Sequence, residues 1–257
     1  MYNFSINAGV VVSVVLLAIL YFVIFRKFRC VLFILCYGAI LIIGRYASTM
    51  VRAINDGFLD RGESLIGAIK MEVGSHFLGH IFTFFILFYP VAFFLRAVCR
   101  DVFGFSLADA NDTFRAGAIA AFAFPIQHIF NRLGCLCRGC CNGISYNGRF
   151  AINLPYNPDV EGTVFPSQIL EMLLMAVLFI VLVVAYKKGL DTFGIVIMGF
   201  GITFFISEFF IENPFSVKHF GLTYVQLLSI FIVILSLVYM VTSGKVKGYF
   251  IVKTEKE

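Results

Sequence analysis

A short segment near the middle of the chain carries the residue types best suited to chemistry. His128 and Arg132 lie four residues apart at the end of an apolar run, so on a helix they share one face. Ionisable side chains at the edge of a membrane helix are candidates for function, because it is costly to hold them in lipid. A turn rich in thiols follows directly, and its cysteines are Cys135, Cys137, Cys140 and Cys141. We expect the functional site to be built around this segment.

The four clustered cysteines admit several kinds of site. Thiolates at this density, with a histidine nearby, could form a zinc site. The same residues could form a structural disulfide in an oxidising compartment, and their spacing alone does not choose between the two. A nucleophilic cysteine is a third alternative, because Arg132 or Arg138 would lower the pKa of a neighbouring thiol. We favour a structural role for the cluster and expect neither a metal nor a cofactor.

The composition excludes a soluble domain. The chain has 257 residues, of which 60% are hydrophobic and only 14% are charged, whereas a soluble domain has about a quarter charged residues. The net charge of +5 is accounted for by basic loops, so we expect no nucleic-acid partner. The composition indicates an integral membrane protein.

Apolar runs of about twenty residues recur along the chain, and this length fits membrane helices rather than barrel strands. We predict an all-α, polytopic protein of about seven transmembrane helices that forms a single integral membrane domain over residues 1–257. The candidate spans are 6–25, 30–50, 75–95, 114–131, 167–186, 192–211 and 223–242.

The basic residues fall in alternate loops, which predicts the orientation. Clusters follow the first, third, fifth and last spans, and the positive-inside rule places these loops in the cytoplasm. The N-terminus is therefore expected outside and the C-terminus in the cytoplasm. The turn-rich segment at about 132–165 is then an extracytoplasmic cap.

With this orientation, polar side chains from several helices meet in the extracytoplasmic half of the bundle, which suggests a water-accessible cavity. They are Arg45, His76, His80, His128, Arg132, Gln168, Glu171 and Glu208. Arg45 and Arg132 carry planar guanidinium groups that suit a phosphodiester, so we expect a headgroup clamp. His76 and His80, spaced four apart, are the candidate bases, and either could take a proton from a thiol or hydroxyl.

The remaining polar residues have supporting roles in this interpretation. We expect His128 to buttress Arg132 or donate to a loop carbonyl, with little direct chemistry. Glu171 and Glu208 could orient the arginines or a base, or could pair with cations at the membrane edge.

Five motifs occur in an order that resembles the prolipoprotein diacylglyceryl transferase family. The segment from Asn131 to Gly143 resembles the family's signature loop, in the Cys-Cys-x-Gly form of its divergent members. The other four are Gly44-Arg45-Tyr46, Phe77-Leu78-Gly79-His80, Pro166-Ser167-Gln168-Ile169-Leu170-Glu171 and Gln226-Leu227-Leu228-Ser229.

The sequence departs from the family pattern at three positions. Phe204 stands where the family has an essential arginine in its sixth helix, although Glu208 is kept. Leu78 falls where the family has a catalytic histidine or tyrosine, with His76 and His80 nearby, and Cys140 falls where some members have a glutamate.

The resemblance implies transfer of a diacylglyceryl group from phosphatidylglycerol to the lipobox cysteine of a prolipoprotein signal peptide, in the bacterial plasma membrane. It implies catalytic roles for His76, His80, Arg132 and Glu208. It implies substrate binding by Arg45, Arg132, His128, Asn142, Gly143, Gln168 and Glu171. The alternatives are a lipid-modifying paralogue with another acceptor or headgroup, and a non-enzymatic membrane protein that binds metal or thiols through Cys135–Cys141.

Overall fold

The long apolar runs form helices, because only a helix satisfies its own backbone hydrogen bonds where water is absent. The computed structural model describes residues 2–25, 29–58, 60–62, 64, 66–67, 77–103, 110–154, 162–212 and 218–255. Its helices are α1 Tyr2–Phe25, α2 Arg29–Asn55, α3 Leu78–Phe103, α4 Ala110–Ala120, α5 Ala123–Arg138, α6 Ser167–Lys187, α7 Thr192–Ser207 and α8 Tyr224–Glu255.

Two short antiparallel ribbons connect the helices, in addition to the expected all-α architecture. Strand β1 (Ile152–Asn153) pairs with β2 (Thr163–Val164), and Ile152 lies opposite Val164. Strand β3 (Lys218–His219) pairs with β4 (Leu222–Thr223) immediately before α8. Both ribbons give backbone partners to segments that lie outside the helices.

Four helices contain stretches long and apolar enough to cross a membrane, within the part of the chain described. These stretches are Phe33–Asn55, Leu78–Val98, Ser167–Lys187 and Tyr224–Ser243, and shorter apolar helices occupy Val11–Val23 and Thr192–Ser207. One side of α6 exposes an apolar stripe of Leu173, Val177, Ile180, Val181 and Val184. A continuous apolar face of this kind is suited to contact with lipid.

The region expected to form one fourth span, 114–131, consists of two helices instead. Helix α4 ends at Ala120 and α5 begins at Ala123. Pro125 has no N–H to bond the Ala121 carbonyl, and its ring crowds that carbonyl, so one continuous helix would lose a bond there. Proline is tolerated in the first turn of a helix, where it lies in α5. The expectation of a single helix is corrected on this point, and α5 alone carries His128 and Arg132.

Helices α2 and α3 approach closely through small residues. A side chain on Gly79 would come within 2.5 Å of the Ser48 backbone, and a side chain on Gly44 would come within 2.6 Å of the His80 ring. Small residues at such positions let membrane helices pack backbone to backbone. The crossing places His80 directly against α2.

An aromatic core packs three helices of the bundle together. Phe84, Phe124 and Phe193 are fully buried, from α3, α5 and α7 respectively. The ring centroids are 4.4 Å apart for Phe84 and Phe124, and 5.1 Å apart for Phe84 and Phe193. Ring pairs in contact stabilise a fold by about 0.5–1.5 kcal/mol beyond area burial. The core therefore fixes α5 relative to α3 and α7.

Candidate active site

One face of α5 carries the central polar residues of the site. His128, Arg132 and Cys135 follow at spacings of four and three residues, so they lie in one row, and all three are buried. Helix α5 ends at Gly139, which takes the left-handed conformation with φ 73°, and the Cys140 N–H bonds the Cys135 carbonyl at 3.1 Å. A helix that ends in this conformation favours glycine at that position, because glycine has no Cβ. The buried row therefore leads directly into the thiol-rich loop.

Glu171 of α6 joins the two basic residues of that row. One carboxylate oxygen, Oε2, lies 2.7 Å from His128 Nε2 and 2.7 Å from Arg132 Nε, and Glu171 is 1% exposed. Beside a carboxylate, the imidazole Nε2 donates its proton to the shared oxygen. A buried carboxylate and guanidinium are tolerated when they are paired in this way. The three residues form one ion-paired cluster, which we call the Arg132 cluster.

Aromatic rings enclose the histidine of this cluster. The His128 ring centroid lies 4.8 Å from Phe77, 5.7 Å from Phe200 and 5.2 Å from Phe204. His128 Nδ1 has no hydrogen-bond partner among the described residues. Phe204 is 1% exposed and occupies the position where the sequence resemblance expects an arginine. A hydrophobic wall therefore stands where a cation was expected.

Three of the four clustered cysteines converge beyond the Arg132 cluster. The Sγ atoms of Cys135, Cys140 and Cys141 all lie within 4.8 Å of one another. Cys137 is exposed and lies outside this group. Hydrogen bonds from the Cys135 and Cys140 thiols, together with the charge of Arg132, hold the pKa of the Cys141 thiol well below its usual value. We call these three residues the thiol cluster.

The start of α6 holds the backbone of the thiol loop. Ser167 Oγ donates to the Cys141 carbonyl at 3.0 Å, and Gln168 Nε2 donates to the Cys140 carbonyl at 2.9 Å. Gln168 is fully buried, and its Oε1 atom has no hydrogen-bond partner in the described part of the chain. Gln168 therefore holds the backbone of the loop at Cys140.

The segment after α7 holds the other side of the loop. The Ile144 N–H donates to the Phe210 carbonyl at 3.0 Å, and the Glu212 N–H donates to the Asn142 carbonyl at 3.1 Å. Gly143 lies between these bonds and forms a bridge with Ile211. A Cβ at Gly143 would run into the Phe165 carbonyl oxygen, so only glycine lets the backbones approach this closely.

Glu208 has a separate polar partner at the end of α2. Asn55 Nδ2 donates to Glu208 Oε1 at 3.5 Å, and Asn55 Oδ1 accepts from the Val225 N–H at 3.4 Å. Arg52 lies close enough for its charge to act on both Glu208 and Cys141. Asn55 thus ties the ends of α2, α7 and α8 together.

Sequence reasoning missed Arg52 and Asn55. Arg52 follows Arg45 by seven residues, which returns the helix to nearly the same face, and this spacing could have indicated it. Arg52 also pairs with Asp56 at 2.7 Å. Asn55 has no comparable sequence signal, because its importance comes from contacts with distant α7 and α8.

His80 and Arg45, the predicted site residues that the structure describes in the first half of the chain, lie near each other. His80 lies in the first turn of α3, and its ring centroid is 5.5 Å from that of Phe77, so Phe77 contacts both His80 and His128. Arg45 is exposed on α2, and its charge acts on His80. No contact among the described residues joins Arg45 to Arg132, so their joint clamp stays a prediction. His76 lies outside the described residues.

Fold and site together define a helical membrane protein with a buried arginine–histidine–glutamate cluster beside a loop of converging thiols. A sequence model of the prolipoprotein diacylglyceryl transferase family matches residues 102–242, which is more than half of the chain, and the chain belongs to this family. A search of curated proteins found no match. At the level of the family, the match supports a transferase that moves diacylglyceryl groups to prolipoproteins.

The family match covers the site only in part. It includes Arg132, Glu171 and Glu208 with the whole thiol loop. Arg45, Asn55 and His80 precede the matched residues, so the structure and not the family match places them near the site.

Proposed function

We propose that the protein transfers the diacylglyceryl group of phosphatidylglycerol to the lipobox cysteine thiol of prolipoproteins. The reaction takes place in the bacterial plasma membrane, at a site that faces the extracytoplasmic side. The family match supports the reaction class, and the polar end of the bundle supports its location. The signal peptide of the acceptor and the lipid donor both reach this end from the bilayer.

The observation that carries the proposal is the partial pairing of Arg132. Its Nε atom donates to Glu171 at 2.7 Å, and no bond to a described residue occupies its two Nη groups. A guanidinium oriented through Nε presents its Nη groups as a planar donor fork, which matches two oxygens of a phosphate. We infer that Arg132 holds the donor phosphate and that Glu171 and His128 hold Arg132.

The chemistry is an S-alkylation. The acceptor thiol loses its proton, and its sulfur attacks the glycerol carbon that carries the phosphodiester. A carbon–sulfur bond forms, the carbon–oxygen bond to phosphate breaks, and glycerol phosphate leaves with the electron pair. Arg132 and Arg45 stabilise the leaving phosphate, and His80 or His76 accepts the thiol proton.

The other predicted residues complete this site. Glu208 orients a catalytic group from the end of α7, while Asn142, Gly143 and Gln168 shape the loop against the bound lipid. We propose that the chain is one membrane domain of seven spans with its N-terminus outside. Residues 132–165 then form a cap over the site.

One observation favours a second candidate, a paralogue with a different acceptor or headgroup. Phe204 is packed at 5.2 Å against His128 and buried, so the site has one cation fewer than the family pattern. A charge-assisted contact is worth about 1.5–3 kcal/mol. A smaller or less charged headgroup would need fewer such contacts.

Complementation of a strain depleted of its own transferase tests the proposal, with mass spectrometry of the lipoproteins. We expect growth and diacylglyceryl-modified cysteine with the wild type. Arg132→Ala should abolish transfer but not membrane insertion, and Arg132→Lys should restore it only in part, because lysine lacks the planar fork. Arg149→Ala, on the exposed loop, is the matched control.

Three results would count against the proposal. Activity of Arg132→Ala within a few-fold of wild type would remove the assigned role of this residue. Full expression without lipoprotein modification would favour the paralogue if another lipid product appears. The same result without any lipid product would favour a non-enzymatic protein.

A further inference from the structure

The thiol cluster has the geometry of a metal site. Its three Sγ atoms lie within 4.8 Å of one another, and tetrahedral zinc with bonds of about 2.3 Å holds its sulfur ligands roughly 3.8 Å apart. Closing the difference takes a movement of about 1 Å or less, which small side-chain rotations supply. Helix α6 already holds the carbonyls of Cys140 and Cys141, so the loop needs no further ordering to bind an ion.

The surrounding charges suit an anionic complex. Zinc with three thiolates has a net charge of −1, which a nearby cation stabilises. Arg132 and Arg52 act electrostatically on Cys141, and Arg138 acts on Cys140. Two of these three arginines are paired with carboxylates, Arg132 with Glu171 and Arg52 with Asp56. The five groups together carry a net charge of +1, which opposes the −1 of the complex.

The cluster offers three ligands and leaves a fourth position open. No histidine or carboxylate joins the three thiols among the residues described. Zinc sites with four protein ligands are structural, whereas sites with three protein ligands and one open position are catalytic. Cys140 and Cys141 are half-buried rather than buried, so the cluster is only partly enclosed.

We propose that Cys135, Cys140 and Cys141 bind Zn²⁺ and that its open position takes the thiol of the acceptor cysteine as a thiolate. The binding of zinc is argued from the geometry of the thiol cluster, whereas the role of the acceptor thiol rests on the proposed function. The sequence alone favoured a structural role without a metal, and the convergence of three thiols beside Arg132 is the reason to depart from it.

Zinc would assist the formation of the acceptor thiolate beside the histidine base of the proposed function. Leu78, at the position where the sequence resemblance expects a catalytic histidine or tyrosine, is fully buried and has no group that could take a proton. The acceptor thiol would give up its proton on binding zinc, to the histidine base of the proposed function, and the bound thiolate would attack the glycerol carbon of the donor. The carbon–oxygen bond breaks, glycerol phosphate leaves beside Arg132 and takes up a proton, and the neutral thioether leaves the metal. No electron is gained or lost overall.

Metal analysis of the full-length protein tests the binding site without any assay of activity. We expect about one equivalent of zinc in the wild type and loss of most of it in Cys135→Ser, Cys140→Ser and Cys141→Ser. Cys137→Ser is the matched control, because Cys137 is exposed in the same loop, and it should keep its zinc. Titration of the wild type with Co²⁺ needs no variant and should give a sulfur-to-cobalt charge-transfer band with the intense visible absorption of a tetrahedral site.

The open position is tested on the cobalt-loaded protein. A lipobox peptide should shift the visible spectrum, and the same peptide with serine in place of its cysteine should not. No shift would overturn the role of the acceptor thiol. Absence of both zinc and the cobalt band, or a disulfide among these cysteines in the purified protein, would overturn the metal site.

Measurements of diacylglyceryl transfer then distinguish the zinc proposal from the proposed function. Removal of zinc by a chelator should abolish diacylglyceryl transfer, and added zinc should restore it. Transfer that persists in metal-free protein would overturn the role of zinc in binding the acceptor thiol and leave the proposed function intact. Zinc binding without any transfer would overturn the proposed function and the acceptor role, while the metal site would stand.

Discussion

Glu171→Gln isolates the positioning role of the carboxylate, because it removes the charge and keeps the shape. Glu171 Oε2 accepts from both His128 and Arg132 at 2.7 Å. The glutamine side chain has one acceptor oxygen and one donor nitrogen where the carboxylate has two acceptor oxygens, and it carries no charge. Arg132 therefore loses its buried counter-charge. Breaking a buried ion pair by removal of one partner costs about 3–5 kcal/mol of stability.

The effect on activity should be smaller than that of losing the arginine. A hydrogen bond to a charged group is worth about 1.5–3 kcal/mol, so kcat/KM should fall roughly 10- to 150-fold if Glu171 acts only by orienting Arg132. Arg132→Ala removes the phosphate contact itself and should cost more than about 150-fold in kcat/KM, enough to abolish transfer in the complementation test.

The two variants and their double form a thermodynamic cycle. Residues that serve one contact are not additive, so the double variant should lose little more activity than Arg132→Ala alone. It should also unfold at a higher temperature than Glu171→Gln, because it contains no unpaired buried charge. The assay is transfer of labelled diacylglyceryl from phosphatidylglycerol vesicles to a lipobox peptide, with thermal unfolding in parallel.

Glu212→Gln is the control, since Glu212 is exposed and only its backbone bonds the site loop. It should match the wild type in activity and unfolding temperature. Additive losses of activity in the double variant would refute the reasoning, because Glu171 would then act independently of Arg132.

Three further variants test other parts of the site. Arg45→Ala should be nearly as damaging to transfer as Arg132→Ala, and kinetics of the double variant should be strongly non-additive if both bind one phosphate; a silent Arg45→Ala would favour the paralogue. Gly143→Ala should destabilise the protein by about 1–3 kcal/mol in thermal unfolding, because the added methyl group meets the Phe165 carbonyl. Gly38→Ala, with nothing within 4 Å of the new Cβ, is its control. Asn55→Ala should cost about 1–3 kcal/mol and lower transfer, because it leaves the Val225 N–H without its partner and removes one of the side-chain partners of Glu208; unchanged stability and activity would contradict that role.

The helical membrane architecture could be predicted from local sequence. Apolar run length, charge-poor composition and basic loops are properties of contiguous residues, so they indicate helices and their approximate ends directly. The row of His128 and Arg132 on one helix face follows from spacing alone. The break between α4 and α5 was also present in the sequence as Pro125, but a continuous apolar run obscured it.

The partners of these residues were decided by the tertiary structure. Glu171 was a candidate to orient either an arginine or a base, and packing of α6 against α5 gave its one oxygen to both Arg132 and His128. Asn55 became part of the site only because α2 ends beside α7 and α8. Convergence of Cys135 with Cys140 and Cys141 depends on the left-handed turn at Gly139 and on anchors from α6. Cys137, two residues after Cys135 on α5, is turned to another face by helix spacing alone. Spacing in a sequence fixes which side chains share a helix face, whereas only packing between distant segments fixes which atoms come within bonding distance.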